Sequence, residues 1–416
     1  MTQTTTPGAV VLVTPRWTRD GGVAAHVAVS AAALASHGVE VTVVAALVDA
    51  GAEVPGVSIR HAPELFDGRA STAQRIGAPS ADAPDVFHLH QVDDPDLLDG
   101  LRDSAPVVVS AHGFTACTSG VHYFAPGQEC TRAHGLGCVP NLVARGCAHT
   151  RYPKTLPVKY RNATRGRRAL ERADLSVSYS SAVDRHLAAN GIARRAIVPY
   201  FPTMAPKQGS GHSERRRVVF AGRIVPPKGV GVLIGAAVDV DAEFLLCGDG
   251  HELEAMRELA ARLGVAERVR FTGWLDADDL ARELAEASVV VMPSLWPEPF
   301  GLVGIEGFAA GRPAVASATG GIGDWLTDGV SGRSVPPGDA GALGGALSEM
   351  LADPERQRQM GLAGKATVAA RFSPERHVEA LLEGYASARS HWLATAARGG
   401  VGRQASRLAS ARPSSS

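Results

Sequence analysis

Several things are scarce in this sequence, and each scarcity removes a class of function. Charge of one sign has no excess, since 42 Lys and Arg balance 42 Asp and Glu over 416 residues. A protein that grips a phosphate backbone needs a basic surplus, so nucleic acid is not an expected partner. No apolar run approaches the about 20 residues that cross a bilayer. The N-terminus, MTQTTTPGAVVLVTP, has no basic flank ahead of its first apolar run. That argues against a secretory signal and for a cytoplasmic chain. Of the five cysteines, four lie between Cys117 and Cys147, without a Cys-x-x-Cys pair among them.

The length exceeds one typical core, so two domains are expected. Gly8–Thr14 reads as a buried strand, Gly21 and Gly22 as its exit, Val23–His37 as a helix that Gly38 stops, and Val39–Ala45 as the next strand. Further strands read at 57–61, 85–89, 106–110 and 175–179. After a Pro-, Gly- and Ser-rich linker over 201–215, the rhythm restarts at Arg217–Ala221 and continues through strands at 244–247, 269–272, 289–292, 314–317 and 332–335. Strands alternating with helices indicate α/β architecture with parallel sheets covered on both faces. The expected organisation is an N-terminal domain over 1–200, a C-terminal domain over 216–373, a last helix over 374–395 and a disordered tail over 396–416.

The stretch VVVMPSLWPEPFGLVGIEGFAAG (289–311) organises the second half. A buried strand runs through a Pro and Trp loop into a helix, and unpaired amides at such a helix N-terminus favour an anion. Glu298 and Glu306 flank that turn, and the amides of Phe300, Gly301, Leu302 and Val303 lie between them. Arg223 and Lys228 in GRIVPPKG supply a guanidinium fork and a point charge suited to a diphosphate. As a turn cation, Lys228 is expected to be exposed, so that Lys228→Ala affects turnover far more than stability. Glu306 could accept both hydroxyls of a ribose diol. In the first half, Gly21 and Gly22 serve either a ligand or a plain turn, and His112, just past a strand end, is placed to enter a crevice. His88 and His90 alternate with apolar residues and read as structural or rim positions.

Two segments stay open. The insert 117–147 could be stapled by zinc through Cys117, Cys130, Cys138 and Cys147, could hold a disulfide, or could keep free thiols. The run 145–172, with Glu171 its one acid, is either a solvated helix face or a surface that steers a phosphorylated or membrane-lipid acceptor, which would place the protein peripherally at the inner membrane face.

The ordered set GG (21–22), SAHGF (110–114), GRIVPPKG (222–229), CGDG (247–250), PEPFGLVGIE (297–306) and ATGGIGDWLTDGVSG (318–332) resembles the retaining glycosyltransferases of family 4. The resemblance implies a GT-B fold, in which two doubly wound Rossmann-like domains face each other across a cleft and the C-terminal helix crosses back to the first. It implies hexosyl transfer from a nucleoside-diphosphate sugar to a glycan, lipid-linked or small-molecule acceptor, with no catalytic metal or other cofactor. Carried over residue by residue, Arg223 and Lys228 would hold the diphosphate, Glu306 the ribose and Glu298 the donor sugar. Gly301, Leu302 and Val303 would supply amides, Gly22 would approach the phosphates and His112 would contact the sugar. Gly248 lies in the CGDG turn, and Trp274 and Leu275 would seat the base. Another nucleotide-sugar enzyme of this fold, an epimerase or hydrolase, and a non-catalytic binding protein are the alternatives.

Overall fold

The computed structural model describes residues 7–18, 21–49, 51–66, 84–92, 94–120, 122–125, 127–144, 147, 153–207 and 216–398. The tail expected beyond 398, most of the run 145–152 and the second half of the expected linker lie outside the described residues.

The first sheet takes its strands from β1 (Ala9–Trp17), β2 (Glu40–Val48), β3 (Val57–His61), β4 (Val86–His90), β5 (Val107–Ala111), β8 (Leu175–Ser178) and β9 (Arg195–Ile197). Their order is β3-β2-β1-β4-β5-β8-β9, all parallel. Helices α1 (Gly22–Ser36), α2 (Pro95–Arg102), α3 (Cys138–Ala144), α4 (Leu156–Arg172) and α5 (Ser181–Ala189) accompany it, with a small antiparallel pair of β6 (Tyr123–Ala125) and β7 (Gln128–Glu129) in the insert.

The second sheet runs β12-β11-β10-β13-β14-β15, again parallel. Its strands are β10 (Arg217–Ala221), β11 (Glu243–Cys247), β12 (Val269–Gly273), β13 (Val289–Met292), β14 (Ala314–Ser317) and β15 (Gly332–Val335). The helices are α6 (Val230–Ala236), α7 (Leu253–Arg262), α8 (Ala277–Ala285), α9 (Leu302–Ala309), α10 (Ala340–Ala352), α11 (Pro354–Arg371) and α12 (Pro374–Ala396). In both sheets the strand order reverses beside the first strand, so each has a switch point where a crevice opens at the strands' carboxyl ends.

One apolar core joins the two sheets. Val10, Leu12 and Val41 belong to it together with Met292, Phe300, Phe308 and Trp325, bridged by Tyr179, Tyr200, Phe201 and Phe372. Helix α12 closes the junction from the first sheet's side. Its Tyr385 hydroxyl meets His88 Nδ1 at 2.8 Å, its Trp392 Nε1 donates to Arg102 O at 2.7 Å, and its His391 Nδ1 lies 2.9 Å from Asp174. The C-terminal helix therefore crosses back to the N-terminal sheet, as expected.

Candidate active site

The switch points are set by glycines. Helix α9 begins after Gly301 at φ 89°, with no side chain capping its first amides, and α1 begins after Gly21 at φ 91°, also without a side-chain cap. Asp94, Ser180, Asp276, Asp339, Asp353 and Ser373 each accept a first-turn amide of their own helix, whereas α4, α6 and α7 share the lack of a side-chain cap with α1 and α9. Donors left open at two helix starts are a place for an anion. The two starts face each other, since a β-carbon on Gly22 would lie 3.7 Å from Leu302 Cδ1.

Helix α9 sits deep because it is built from small residues where it meets its neighbours. A β-carbon on Gly304 would lie 2.2 Å from the Trp325 ring, and one on Gly307 would lie 2.7 Å from Val290. Trp325 in turn donates from Nε1 to Phe300 O at 2.8 Å, which fixes the loop that carries Glu298. Gly229 has φ 69°, and a β-carbon there would collide with Pro293 O. That close approach presses the Lys228 turn against the end of β13.

Within this frame Lys228 Nζ donates to Glu298 Oε1 at 2.6 Å, joined there by Ser294 Oγ at 2.6 Å and Trp296 Nε1 at 3.0 Å. Glu298 is 2% exposed. Burial alone would raise its pKa, but the Lys228 charge and these three donors outweigh it, and the net shift is downward. Lys228 is thus not the exposed turn cation that the sequence suggested. Its side chain is 20% exposed and is committed to a buried carboxylate, so its removal bears on stability as well.

Glu306 is buried one helical turn further on. Burial raises its pKa, partly offset by Thr203, whose hydroxyl donates to Oε1 at 2.7 Å. Thr203 belongs to the segment expected as linker, and nothing in its sequence setting marks it. Arg223, just past β10, is exposed and, among the described residues, makes no ion pair. Position 248 requires glycine, since a β-carbon there would collide with Gly222 O. Trp274 is 53% exposed, whereas Leu275 packs in the same small cluster as Val303.

The first sheet's edge is organised differently. His112 Nε2 lies 3.0 Å from His90 Nδ1, its Nδ1 lies 3.0 Å from the Tyr200 hydroxyl, and its ring stacks on Tyr179 at 4.8 Å. Both ring nitrogens are therefore used inside the protein, and the expectation that this side chain reaches into the crevice is not what the structure shows. The backbone beside it does reach: a β-carbon on Gly113 would lie 3.6 Å from Pro299. His88, buried like His90, bonds Tyr385 and, at 2.7 Å, Ser110 Oγ, which lies 2.7 Å from the Tyr179 hydroxyl. Burial lowers the pKa of His88 and of His112 to about 3, so the rings are neutral. His26 and His377 complete the cluster, and burial lowers both.

Two contacts cross between the sheets beside the site. Asp324 accepts from Ser181 N at 2.7 Å and Ser181 Oγ at 2.5 Å, and Glu129 of the insert accepts from Gly320 N at 3.0 Å. A cavity of about 720 Å³ lies between Tyr179, Phe300, Arg371 and Arg376, at the junction with α12, and contains neither Lys228 nor Glu298 in its lining. Cys117, Cys130, Cys138 and Cys147 are free thiols. They perturb one another's ionisation behind the larger effect of burial on Cys147. Yet among the described residues no three His, Cys, Asp or Glu side chains are arranged to hold a metal ion. The zinc staple weighed for the insert thus finds no fitting donor set.

The fold is that of the GT-B glycosyltransferases: the chain superposes on sucrose-phosphate synthase from Thermosynechococcus elongatus with a TM-score of 0.68 at 22% identity, covering 91% of this chain and 98% of that one. Anabaena HepE in complex with UDP and glucose gives 0.67 at 18% identity, covering 91% and 99%. More specifically, residues 205–367 match the family model of glycosyl transferases group 1, so the second half carries a domain of that family. A GDP-mannose-dependent alpha-(1-6)-phosphatidylinositol monomannoside mannosyltransferase of Mycolicibacterium smegmatis is 37% identical over 166 residues, 37% of this chain and 44% of that protein. A D-inositol 3-phosphate glycosyltransferase of Nocardia farcinica is 37% identical over 201 residues, 44% and 43% respectively. The matches span less than half the length of these relatives.

Proposed function

We propose that this chain is a retaining glycosyltransferase that moves a hexosyl group from a nucleoside-diphosphate sugar to an acceptor hydroxyl on a glycan, a lipid-linked saccharide or a small molecule. The observation that carries the reading is the buried Lys228–Glu298 pair, within the residues that match the glycosyl transferases group 1 model and just ahead of the uncapped start of α9, against which the start of α1 lies. The diphosphate sits against the amides of Leu302 and Val303 and the backbone at Gly22, with Arg223 and Lys228 as counter-charges. All three donors to Glu298 converge on Oε1, which leaves Oε2 for a sugar hydroxyl. The Thr203 hydroxyl donates to Oε1 of Glu306, and the remaining acceptor capacity of this carboxylate would serve the ribose diol.

In the reaction the acceptor oxygen bonds to the anomeric carbon as the bond to the diphosphate oxygen breaks, through a transition state with oxocarbenium character. The acceptor proton leaves with the departing phosphate oxygen. Negative charge grows on that oxygen, so the cations and helix amides stabilise the transition state more than the ground state. No metal or other cofactor is assigned a part in this step. His112 holds the wall behind the site through its backbone and its stacked ring.

A thermal-shift titration with UDP, GDP, ADP and TDP tests the reading. A ligand that binds only the folded state raises its melting temperature by mass action, so one nucleotide should stand out. Indifference to all four would contradict a nucleotide-sugar site.

A further inference from the structure

One surface of the N-terminal half is used by nothing described above. Helix α4 carries Lys154, just ahead of its start, then Val158, Arg161, Arg165, Arg168 and Arg172 at alternating spacings of four and three, which is one stripe of a helix. Acids on and beside α2 neutralise only part of this stripe: Arg165 pairs with Asp94 at 3.3 Å and Arg172 with Asp99 at 2.6 Å, while Arg167 pairs with Glu171. Among the described residues no carboxylate pairs with Lys154, Lys159, Arg161 or Arg168. The unneutralised cations therefore concentrate toward the helix's N-terminal end.

That same end gathers exposed apolar side chains. Leu136 is 83% exposed, Val139 52% and Val158 48%. Leu136 and Val139 share one turn, since Val139 N donates to Leu136 O at 3.1 Å. The turn is tied to α4 through His134, whose Nε2 lies 2.8 Å from Thr164 Oγ1 and whose ring lies 4.7 Å from that of Tyr160. Large apolar side chains this open, rimmed by unpaired cations, are unlike an ordinary solvated face.

The position matters too. Helix α4 feeds the parallel strand β8, so it runs against the strands and its N-terminus lies at their carboxyl ends, on the cleft side. The insert that holds Leu136 and Val139 reaches across that side to Gly320 through Glu129. The patch is part of the cleft's rim.

We propose that Leu136, Val139 and Val158, with Lys154, Arg161 and Arg168, form a docking surface for an anionic phospholipid membrane. The apolar side chains enter the headgroup boundary while the cations meet lipid phosphates, which is how an interfacial amphipathic surface binds. A chain docked this way presents the mouth of its cleft to the headgroup layer. Vesicle binding is read without turnover, so this surface stands or falls separately from the transferase reading.

The test is co-sedimentation of the full chain with phosphatidylcholine vesicles and with vesicles that also contain phosphatidylglycerol, at low and high salt. The wild-type chain should pellet with the anionic vesicles and be released by salt. Each neutralised cation should weaken partitioning about fivefold, so the triple variant Lys154→Gln, Arg161→Gln, Arg168→Gln should lose about a hundredfold. Leu136→Ser with Val139→Ser should weaken binding that survives in salt. All five positions are on the surface, so melting temperatures and the nucleotide shift should stay at wild-type values, and that control separates lost docking from lost folding. Equal pelleting with neutral and anionic vesicles, unchanged binding by the triple variant, or retention on heparin without vesicle binding would each overturn the proposal.

Discussion

The two halves of the molecule share a sheet order but build their cleft edges by opposite means. The second half uses a small charged set, in which Lys228 from the turn after β10 joins Ser294, Trp296 and Glu298 from one loop to form a charged knot beside an uncapped helix. The first half uses uncharged aromatic groups from distant parts of the chain, with His26, His88, His90, His112, Tyr179, Tyr200, His377 and Tyr385 packed ring on ring. A local charged set is free to meet a charged ligand. A long-range neutral network instead fixes how the two sheets and α12 are held together.

Acid should separate the halves most strongly. A histidine whose folded pKa lies below its unfolded value refuses a proton that the unfolded chain accepts, so stability is full above about pH 6.5 and falls as pH drops toward the folded values. Those values are about 3 for His88 and His112 and about 4 for His377, with burial the main cause in each case. Each such ring contributes up to about 1.4 kcal/mol per pH unit in that window, and several act together. Glu298 has the same sign at lower pH: its depressed pKa gives stability that is present above the ordinary carboxylate range and lost only as pH falls through the folded value. Melting followed from pH 7 to pH 5 should therefore show a steep loss while the Glu298 pair is still intact. A flat profile would break the contrast.

Next in size is the charged knot. Lys228→Ala leaves a buried carboxylate with two neutral donors and should destabilise by on the order of 3 kcal/mol. Adding Glu298→Gln should recover part of that loss, and the coupling in a double-mutant cycle of denaturant melts measures the pair. Strict additivity would mean that the 2.6 Å contact is energetically idle. Smallest is the cross-sheet cap: Asp324→Ala removes both Ser181 bonds and should lower stability by about 1 kcal/mol, read from the same melts.

The same contrast governs what the sequence could reveal. Glu298, Glu306, Arg223, Lys228 and Gly301 lie in ordered, glycine-marked turns, which is why the sequence groups them as a candidate site, although Lys228's partner is not legible there. The first of the two helices over 340–371 is obscured in the sequence, because Gly341, Gly344 and Gly345 depress helix propensity. The signal lay in the caps, where Asp339 accepts from Ala342 N and Asp353 from Arg356 N. The packing of His112 is hidden from the sequence for a different reason. On neighbouring strands His90 pairs in register with Ser110, so His112 one step beyond falls on the same side as His88 and His90. Periodicity within one strand does not show that alignment. Thr203, Tyr200 and Asp324 enter the site's surroundings only through tertiary contacts.

The central claim, a diphosphate held by the second half, is tested most directly at Arg223, which is exposed and has no ion-pair partner among the described residues. Sugar transfer or nucleotide release by Arg223→Ala should be measured with the donor whose nucleotide gives the thermal shift, beside the variant's melting temperature. A diphosphate bound at Arg223 entails a turnover loss of about a hundredfold, as for removal of one group that stabilises developing charge, at an unchanged melting temperature. Turnover kept within a few-fold of wild type would contradict it.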